Sequence, residues 1–267
     1  MIHHLKQFFN RKWGRDPLIP RRAPDGLSIY AIGDIHGEII LLKRLLDVIE
    51  RDWAARGSAT QAVIVFLGDY IDRGTDSRGV LTFLSDNPAP WAKIHFLRGN
   101  HEVALIDFLS DPIKCPEWLG FGGMETLASF GLTPPLGRLS APALKALRDA
   151  LAARLTTQHI DFINKLERFV VYGDFVFVHA GIRPGVSLAN QTDQDLFWIR
   201  DEFLSSTSVF EKCVVHGHTV VDIPEVLHDR ISVDTGAYAT GFLTVAVIHK
   251  DNVYTLQVSR ARELTDV

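Results

Sequence analysis

Cysteine is almost missing from this 267-residue chain: Cys115 and Cys213 are the only two, far apart and in no CxxC spacing. That excludes a disulfide framework and fits a reducing compartment, with the cytoplasm as the expectation. Long apolar runs are missing too, none reaching the about 18 residues that a bilayer span requires. Neither sign of charge dominates, with 28 Lys plus Arg against 32 Asp plus Glu, so the balance does not draw the protein to nucleic acid. There is no internal repeat and no low-complexity tract. No strand-like stretch is followed by GxGxxG or GxxxxGK[ST], the glycine patterns of nucleotide cradles. The N-terminus also lacks the continuous apolar core and small-residue cleavage site of a signal peptide.

What is present is apolar material, 46% of the residues, enough to bury a substantial core in one domain. Residues 1–26 read as a basic arm preceding a domain over 27–267. In the arm Ile2, Leu5, Phe8 and Phe9 can share a helical face ringed by Lys6, Arg11, Lys12, Arg15, Arg21 and Arg22. A solvated arm ending at Pro20 and Pro24 is the expectation, with contact to an anionic membrane surface as the alternative.

Three times between Ser28 and Glu102 a short apolar strand ends in a polar, glycine-bearing loop that opens into a helix. "SIYAI" runs into "GDIHG", "AVIVFL" into "GDYIDRG", and "KIHFL" into "RGNHE". This is a parallel βαβαβ pattern, in which ligands gather outside the carboxyl ends of the strands. "EIILLKRLLDVIERDWAARG" reads as an amphipathic helix closed by Gly57, and another helix begins near Ser77. Residues 111–168 change character, first rich in Gly and Pro, then helical in "SAPALKALRDALAARL", with Ser140 as N-cap, and in "HIDFINKLERF". They form a helical insertion covering the site. Beyond it "FVVY" and "FVFVHAG" flank the turn Gly173-Asp174, a hairpin signal. "KCVVHGHT", "RISVDTG", "FLTVAVIHK" and "NVYTLQVS" follow. These late strands predict a second sheet packed on the first.

The strand ends collect Asp34 and His36, Asp69 and Asp72, Asn100 and His101, His179, and His216 and His218. In "DIH" the two side chains of an extended segment point the same way, so a carboxylate and an imidazole can hold one ion. Asp69 has two oxygens with which to bridge two ions, Asn100 offers a neutral oxygen, and His179 and His218 offer imidazole nitrogen. Mixed oxygen and nitrogen donors without thiolate suit Mn, Fe, Zn or Mg at two adjacent positions. One His at a strand end is most often structural. Five loops of this kind in one chain are hard to produce by chance.

In order and spacing, "GDIHG", "GDYIDRG", "RGNHE", "HAG" and "HGHT" resemble the signature of the phosphoprotein phosphatase (PPP) family of calcineurin-like metallophosphoesterases, over about residues 28–250. The resemblance implies an α/β fold, an αββα sandwich of two mixed sheets flanked by helices, around two divalent metal ions, with manganese expected. Asp34, His36 and Asp69 would hold the first ion, and Asp69, Asn100, His179 and His218 the second. The wider superfamily often has a further His where this chain has Val220, and His216 is left as a support. The family's chemistry is direct in-line attack by a hydroxide bridging the ions, with no phosphoenzyme. Arg73 and Arg200 are expected on the phosphate, where a planar guanidinium matches two oxygens, next to Asn100. His101, held by Asp72, is expected to protonate the leaving oxygen. Tyr238 is expected near the substrate, Glu102 as an orienting group, and Arg98 as an ion pair bracing its loop.

The resulting expectation is a bacterial-type serine/threonine protein phosphatase, a monomer acting on phosphorylated proteins. The alternative is a symmetrical dinucleoside polyphosphate hydrolase. Trp118 and Phe121 are then the obvious stacking surfaces for a base, although contact under a loop is the expected role for both. A non-catalytic phosphoprotein-binding scaffold is remote, because all six proposed ligands and the Asp72–His101 pair are present.

Overall fold

Ile29 and Ala31 of the first strand join one buried apolar cluster, and Tyr30 and Ile32 join another. A strand buried on both faces must lie inside a layered stack. The structure is a computed structural model that describes residues 21–57, 60–133, 137–208 and 210–260. Three strands, β1 (Leu27–Ile32), β2 (Gln61–Phe66) and β3 (Lys93–Phe96), run parallel, with crossover helices α1 (Ile39–Ala55) and α2 (Ser77–Ser85). Helix α3 (Asn100–Ser110) follows β3, and then comes the insertion. It comprises a 3-10 turn (Pro116–Phe121) and the helices α4 (Gly123–Ser129), α5 (Ala141–Ala152) and α6 (Thr157–Asn164). Next are β4 (Phe169–Tyr172), β5 (Phe175–Val178), α7 (Asp193–Trp198), α8 (Asp201–Leu204) and β6 (Cys213–His216). The chain continues through β7 (Glu225–Val226), β8 (Arg230–Ser232), α9 (Ala237–Thr240), β9 (Phe242–His249) and β10 (Asn252–Ser259).

The strands form two mixed five-stranded sheets, in the orders β10-β9-β1-β2-β3 and β4-β5-β6-β8-β7. The expected sandwich is therefore present, with one correction: the last two strands do not join the second sheet. β9 pairs antiparallel with β1, Ile29 opposite Ile248 and Ala31 opposite Ala246. Its Val245 and Val247 go to the helix layer and its Ala246 and Ile248 to the layer between sheets. An eight-residue strand apolar on both faces belongs in the interior of a sheet, and β1 supplied the free edge. The second correction is that the helix read in "HIDFINKLERF" stops at Asn164. Glu167 instead bridges the sheets, its N–H donating to the Phe96 carbonyl at 2.8 Å and its carbonyl accepting from Arg98 N–H at 2.8 Å.

Helix α1 buries Leu41, Leu42, Leu45, Leu46 and Ile49, the spacing of one helical face. Asp76 caps α2 by accepting from Gly79 N–H at 2.8 Å, and Ser140 caps α5. The end of the basic arm is fastened down: the buried Arg21 guanidinium donates to the carbonyls of Phe210 and Glu211. The rest of the arm, including Ile2, Leu5, Phe8 and Phe9, lies outside the described residues. No helix among the described residues is long and apolar enough to cross a membrane.

Leu42 is fully buried, whereas Ile40, two residues away, is 62% exposed. Leu42→Ala is therefore expected to cost about 2–5 kcal/mol in urea unfolding, and Ile40→Ala under about 0.5 kcal/mol. Equal costs would show that the helix does not present this face.

Candidate active site

The loops after β1, β2, β3, β5 and β6 all open at the same end of the two sheets, because parallel strands end together. They meet at Asp69. Its carboxylate lies 3.6 Å from His36 Nε2, 3.8 Å from His101 Nε2 and 3.5 Å from His179 Nε2. Burial alone would raise the Asp69 pKa, but His179, His101, His36 and His218 together hold it well below the usual carboxylate range. Two groups of donor atoms lie within 4.8 Å of one another, His36–Asp69–His101 and Asp69–His179–His218, with Asp69 in both. Asn100 Oδ1 sits 2.9 Å from His179 Nε2 and 2.8 Å from His218 Nδ1.

The backbone reaches this arrangement under strain. Seven non-glycine residues among those described have positive φ, and five of them are site residues: His36, Asp69, Asp72, Arg73 and His218. Such conformations cost about 1–3 kcal/mol each and persist where the surroundings over-determine them. Close packing leaves no room for larger residues at the loop glycines: a Cβ on Gly99 would collide with the Asp69 carboxylate, and one on Gly217 with that of Asp34.

These donors fit divalent cations. His36 Nδ1 is 2.7 Å from the Ile71 carbonyl and His179 Nδ1 is 2.9 Å from that of Leu67. Each bond fixes Nδ1 as the protonated nitrogen and turns the Nε2 lone pair inward, the usual support of a metal-binding imidazole. His36 Nε2 and His218 Nε2 are buried with no hydrogen-bond partner, and the His179 Nε2 lone pair faces the Asn100 oxygen. Buried acceptors facing one another are unfavourable unless a cation lies between them. Burial, the largest cause, also keeps these imidazoles neutral, lowering His36 to about 3 and shifting His179 and His218 in the same direction. Asp34 is placed differently. It accepts from the His218 N–H at 3.1–3.2 Å, and burial, then Asp234 and Asp69, raise its carboxyl well above the ordinary value. Asp234, hydrogen-bonded to Asp34, was missed in the sequence, although "RISVDTG" has the same apolar-strand, acid, glycine order as the other loops.

His101 and Asp72 are brought together, Nδ1 to Oδ2, at 2.7 Å. Against the effect of burial, Asp69 and Asp72 raise the imidazole above its ordinary pKa. Asp72 is also pinned by Trp118 Nε1–H to Oδ2 at 3.0 Å and by the Thr126 hydroxyl to Oδ1 at 2.6 Å. Trp118 is thus no stacking surface: it is 1% exposed and turned inward. Phe121, 39% exposed, remains available, its ring 6.4 Å from that of His101. The Arg73 guanidinium lies 5.0 Å from the Tyr238 ring centre, and that ring meets His36 edge-on at 5.3 Å, so both reach the site. Arg200 Nη1 is near the His218 carbonyl and the Thr219 hydroxyl, both at 3.2 Å.

Glu102 braces the loops as expected. It accepts from Gly99 and Asp69 N–H at 3.0 Å and from Tyr70 N–H at 2.8 Å, while burial and Asp69 push its carboxyl up to about 8. His216 is fully buried and packs edge-on against Phe203 at 5.0 Å, with its Nδ1 3.0 Å from the Gly217 carbonyl. Arg98 corrects an expectation. No ion pair forms to it among the described residues, and its Nε is buried without a partner. The loop is held there by the Arg98 backbone, bonded to Glu167.

A family model described as calcineurin-like phosphoesterase matches residues 27–252. Shewanella-like protein phosphatase 2 of Arabidopsis thaliana is 29% identical over 181 residues, 58% of this chain and 46% of that protein; the match thus spans about half its length. The asymmetrical bis(5'-nucleosyl)-tetraphosphatase PrpE of Bacillus velezensis is 26% identical over 234 residues, 80% of this chain and 86% of that one. The solved structure of a cold-active protein-tyrosine phosphatase from a psychrophilic Shewanella has a TM-score of 0.52 at 17% identity, covering 96% of this chain and 89% of that one. That last likeness is one of fold.

Two measurements test the site. Asp69→Asn removes the donor common to both groups. It should lower manganese affinity, read by calorimetry, by more than the about 10–100-fold that loss of a supporting group costs; unchanged affinity would place the ions elsewhere. Glu102→Gln turns one acceptor into a donor among three N–H groups, so urea unfolding should show a loss of about 1–3 kcal/mol for each donor stranded. An unchanged midpoint would show that Glu102 is not the brace.

Proposed function

The chain belongs to the calcineurin-like phosphoesterase family, and we propose that within it the protein removes phosphate from phosphoserine and phosphothreonine in proteins. The observation that carries this reading is the His101–Asp72 pair at 2.7 Å. A serine or threonine alkoxide is a strong base and needs a proton as the P–O bond breaks, whereas a polyphosphate leaving group is a much weaker base. His101 Nδ1 is committed to Asp72, so Nε2 carries the transferable proton. General acids of this kind contribute about 10²–10⁴ in rate.

In this reading Asp34, His36 and Asp69 hold one cation, and Asp69, Asn100, His179 and His218 the other. Divalent ions there, manganese by preference among metals that accept mixed nitrogen and oxygen donors, would supply charge to the phosphoryl oxygens and acidify a water. Arg73 and Arg200 bind the phosphate, and Arg73 is held over Tyr238, where stacking limits its freedom. Cys115 and Cys213 are both free thiols, which supports a cytoplasmic protein.

The second reading is hydrolysis of a dinucleoside polyphosphate, as the name of the Bacillus velezensis relative states for that protein. A cavity of about 540 Å³ beside the site is lined by Arg73, Leu119, Phe121, Met124, Glu125 and Tyr238, among others. Phe121 and Tyr238 offer ring faces for a base. Against this, Arg73 is the one cation among the described residues that line the cavity, and Glu125 adds a negative charge, a poor setting for a polyanionic leaving group.

The test is kcat/KM on a phosphothreonine peptide, a phosphotyrosine peptide and diadenosine tetraphosphate, measured side by side with manganese. The phosphothreonine peptide should lead. A dinucleotide ahead by more than about tenfold, about 1.4 kcal/mol of transition-state stabilisation, would overturn the reading in favour of the second.

A further inference from the structure

Asp72 is fully buried, sits at φ 71° and receives hydrogen bonds on both carboxylate oxygens. Oδ2 accepts from His101 at 2.7 Å and from the Trp118 indole at 3.0 Å, and Oδ1 accepts from the Thr126 hydroxyl at 2.6 Å. The Asp72 N–H in turn donates to the Ser77 and Thr126 hydroxyls, both at 3.0 Å. Trp118 and Thr126 come from the insertion, which contributes none of the proposed metal donors. Both are 1% exposed, and neither lines the cavity beside the site. Trp118 also packs on Phe108 of α3, ring centres 4.8 Å apart, and α3 is the helix whose first turn carries His101.

We propose that Trp118 and Thr126 are positioning residues for proton delivery: they fix the plane of the Asp72 carboxylate and, through it, the His101 ring. The inference rests on the phosphomonoesterase reading above. Rotation about the terminal bond of an Asp side chain is broad and roughly two-fold, so His101 alone leaves the carboxylate free to turn. Donors on opposite oxygens remove that freedom, and burial strengthens each bond. As an oxygen from water bonds to phosphorus and the ester P–O bond breaks to release phosphate, the electron pair of that bond stays on the ester oxygen, which takes the proton from His101 Nε2 and leaves as the alcohol. The neutral imidazole then regains a proton from solvent. An aryl oxide is weakly basic and leaves without that proton, so it reports on every other part of the site.

The experiment compares the manganese-loaded full chain with Trp118→Phe, Thr126→Val and Thr126→Ser on a phosphothreonine peptide and on p-nitrophenyl phosphate. Trp118→Phe keeps the ring and removes the N–H; Thr126→Val keeps the shape and removes the hydroxyl. Each should lower kcat on the peptide by about tenfold or more, within the about 10²–10⁴ that the acid itself contributes. KM should be unchanged, and kcat on the aryl phosphate should stay within about twofold on the same free-energy reading. Thr126→Ser should restore most of the peptide activity. Equal losses on the two substrates, or no loss on either, would overturn the inference and leave the two residues as packing. If Trp118→Phe does not fold, the Val and Ser variants of Thr126 decide the matter alone. Failure of the underlying reading is visible earlier: an unaltered chain that hydrolyses neither monoester sinks the reading and the inference with it.

Discussion

One buried carboxylate, that of Asp69, stands among four buried imidazoles, and much of the surrounding structure is arranged to keep it there. His36, His101, His179 and His218 lower its pKa, while Asp34, Asp72, Glu102 and Asp234 are buried around it at the same end of the sheets. Five carboxyl groups this close cannot all ionise in a low-dielectric space without compensating charge. The raised Asp34 and Glu102 carboxyls register that strain directly. Divalent cations held by these residues would relieve it by letting the acids ionise against positive charge. Cations held there would couple metal binding to folding, as they do where a site is too anionic to stand empty at no cost.

The same demand explains the backbone. Parallel strands bring their carboxyl ends to one place, but they do not aim the side chains that follow. Left-handed turns at His36, Asp69, Asp72, Arg73 and His218 do that, and packed glycines at 99 and 217 keep the loops close enough for their donors to converge. Glu102 then ties the β2 loop to the start of α3 by accepting three backbone N–H groups. The strain of the turns is thus met by bonds that would be stranded if the loops relaxed.

How far the sequence reveals this follows from the range of the interactions. The three βαβ loops were legible because each is local: an apolar run, then a polar, glycine-bearing turn. The central place of Asp69 was legible because its loop leaves the same end of the sheet as its neighbours, and the His101–Asp72 pair was legible through the family resemblance. The place of β9 was not, since a strand apolar on both faces does not announce which sheet has a free edge. Trp118 and Thr126 were illegible for a related reason, their partner Asp72 being 46 and 54 residues away. Asp234 is a different case, because "DTG" after an apolar run carried the same local signal as the loops that were read. The guanidinium of Arg98 was assigned an ion pair on residue type alone, and the structure gives the bracing to its backbone instead.

The insertion joins chemistry to the leaving group in one short stretch. Between Trp118 and Thr126 the chain winds through a 3-10 turn into α4, so its residues divide between an inner and an outer side. Trp118 and Thr126 face Asp72, while Leu119, Phe121, Met124 and Glu125 face the cavity beside Arg73. A change of leaving group alters both demands at once, since a less basic oxygen needs less of the acid and a larger or more charged group needs a different cavity wall. Both can be met within this segment without touching a metal donor. The donors proposed for the cations thus sit at the strand ends, while the residues that would meet the leaving group sit in this segment, so the two can vary independently.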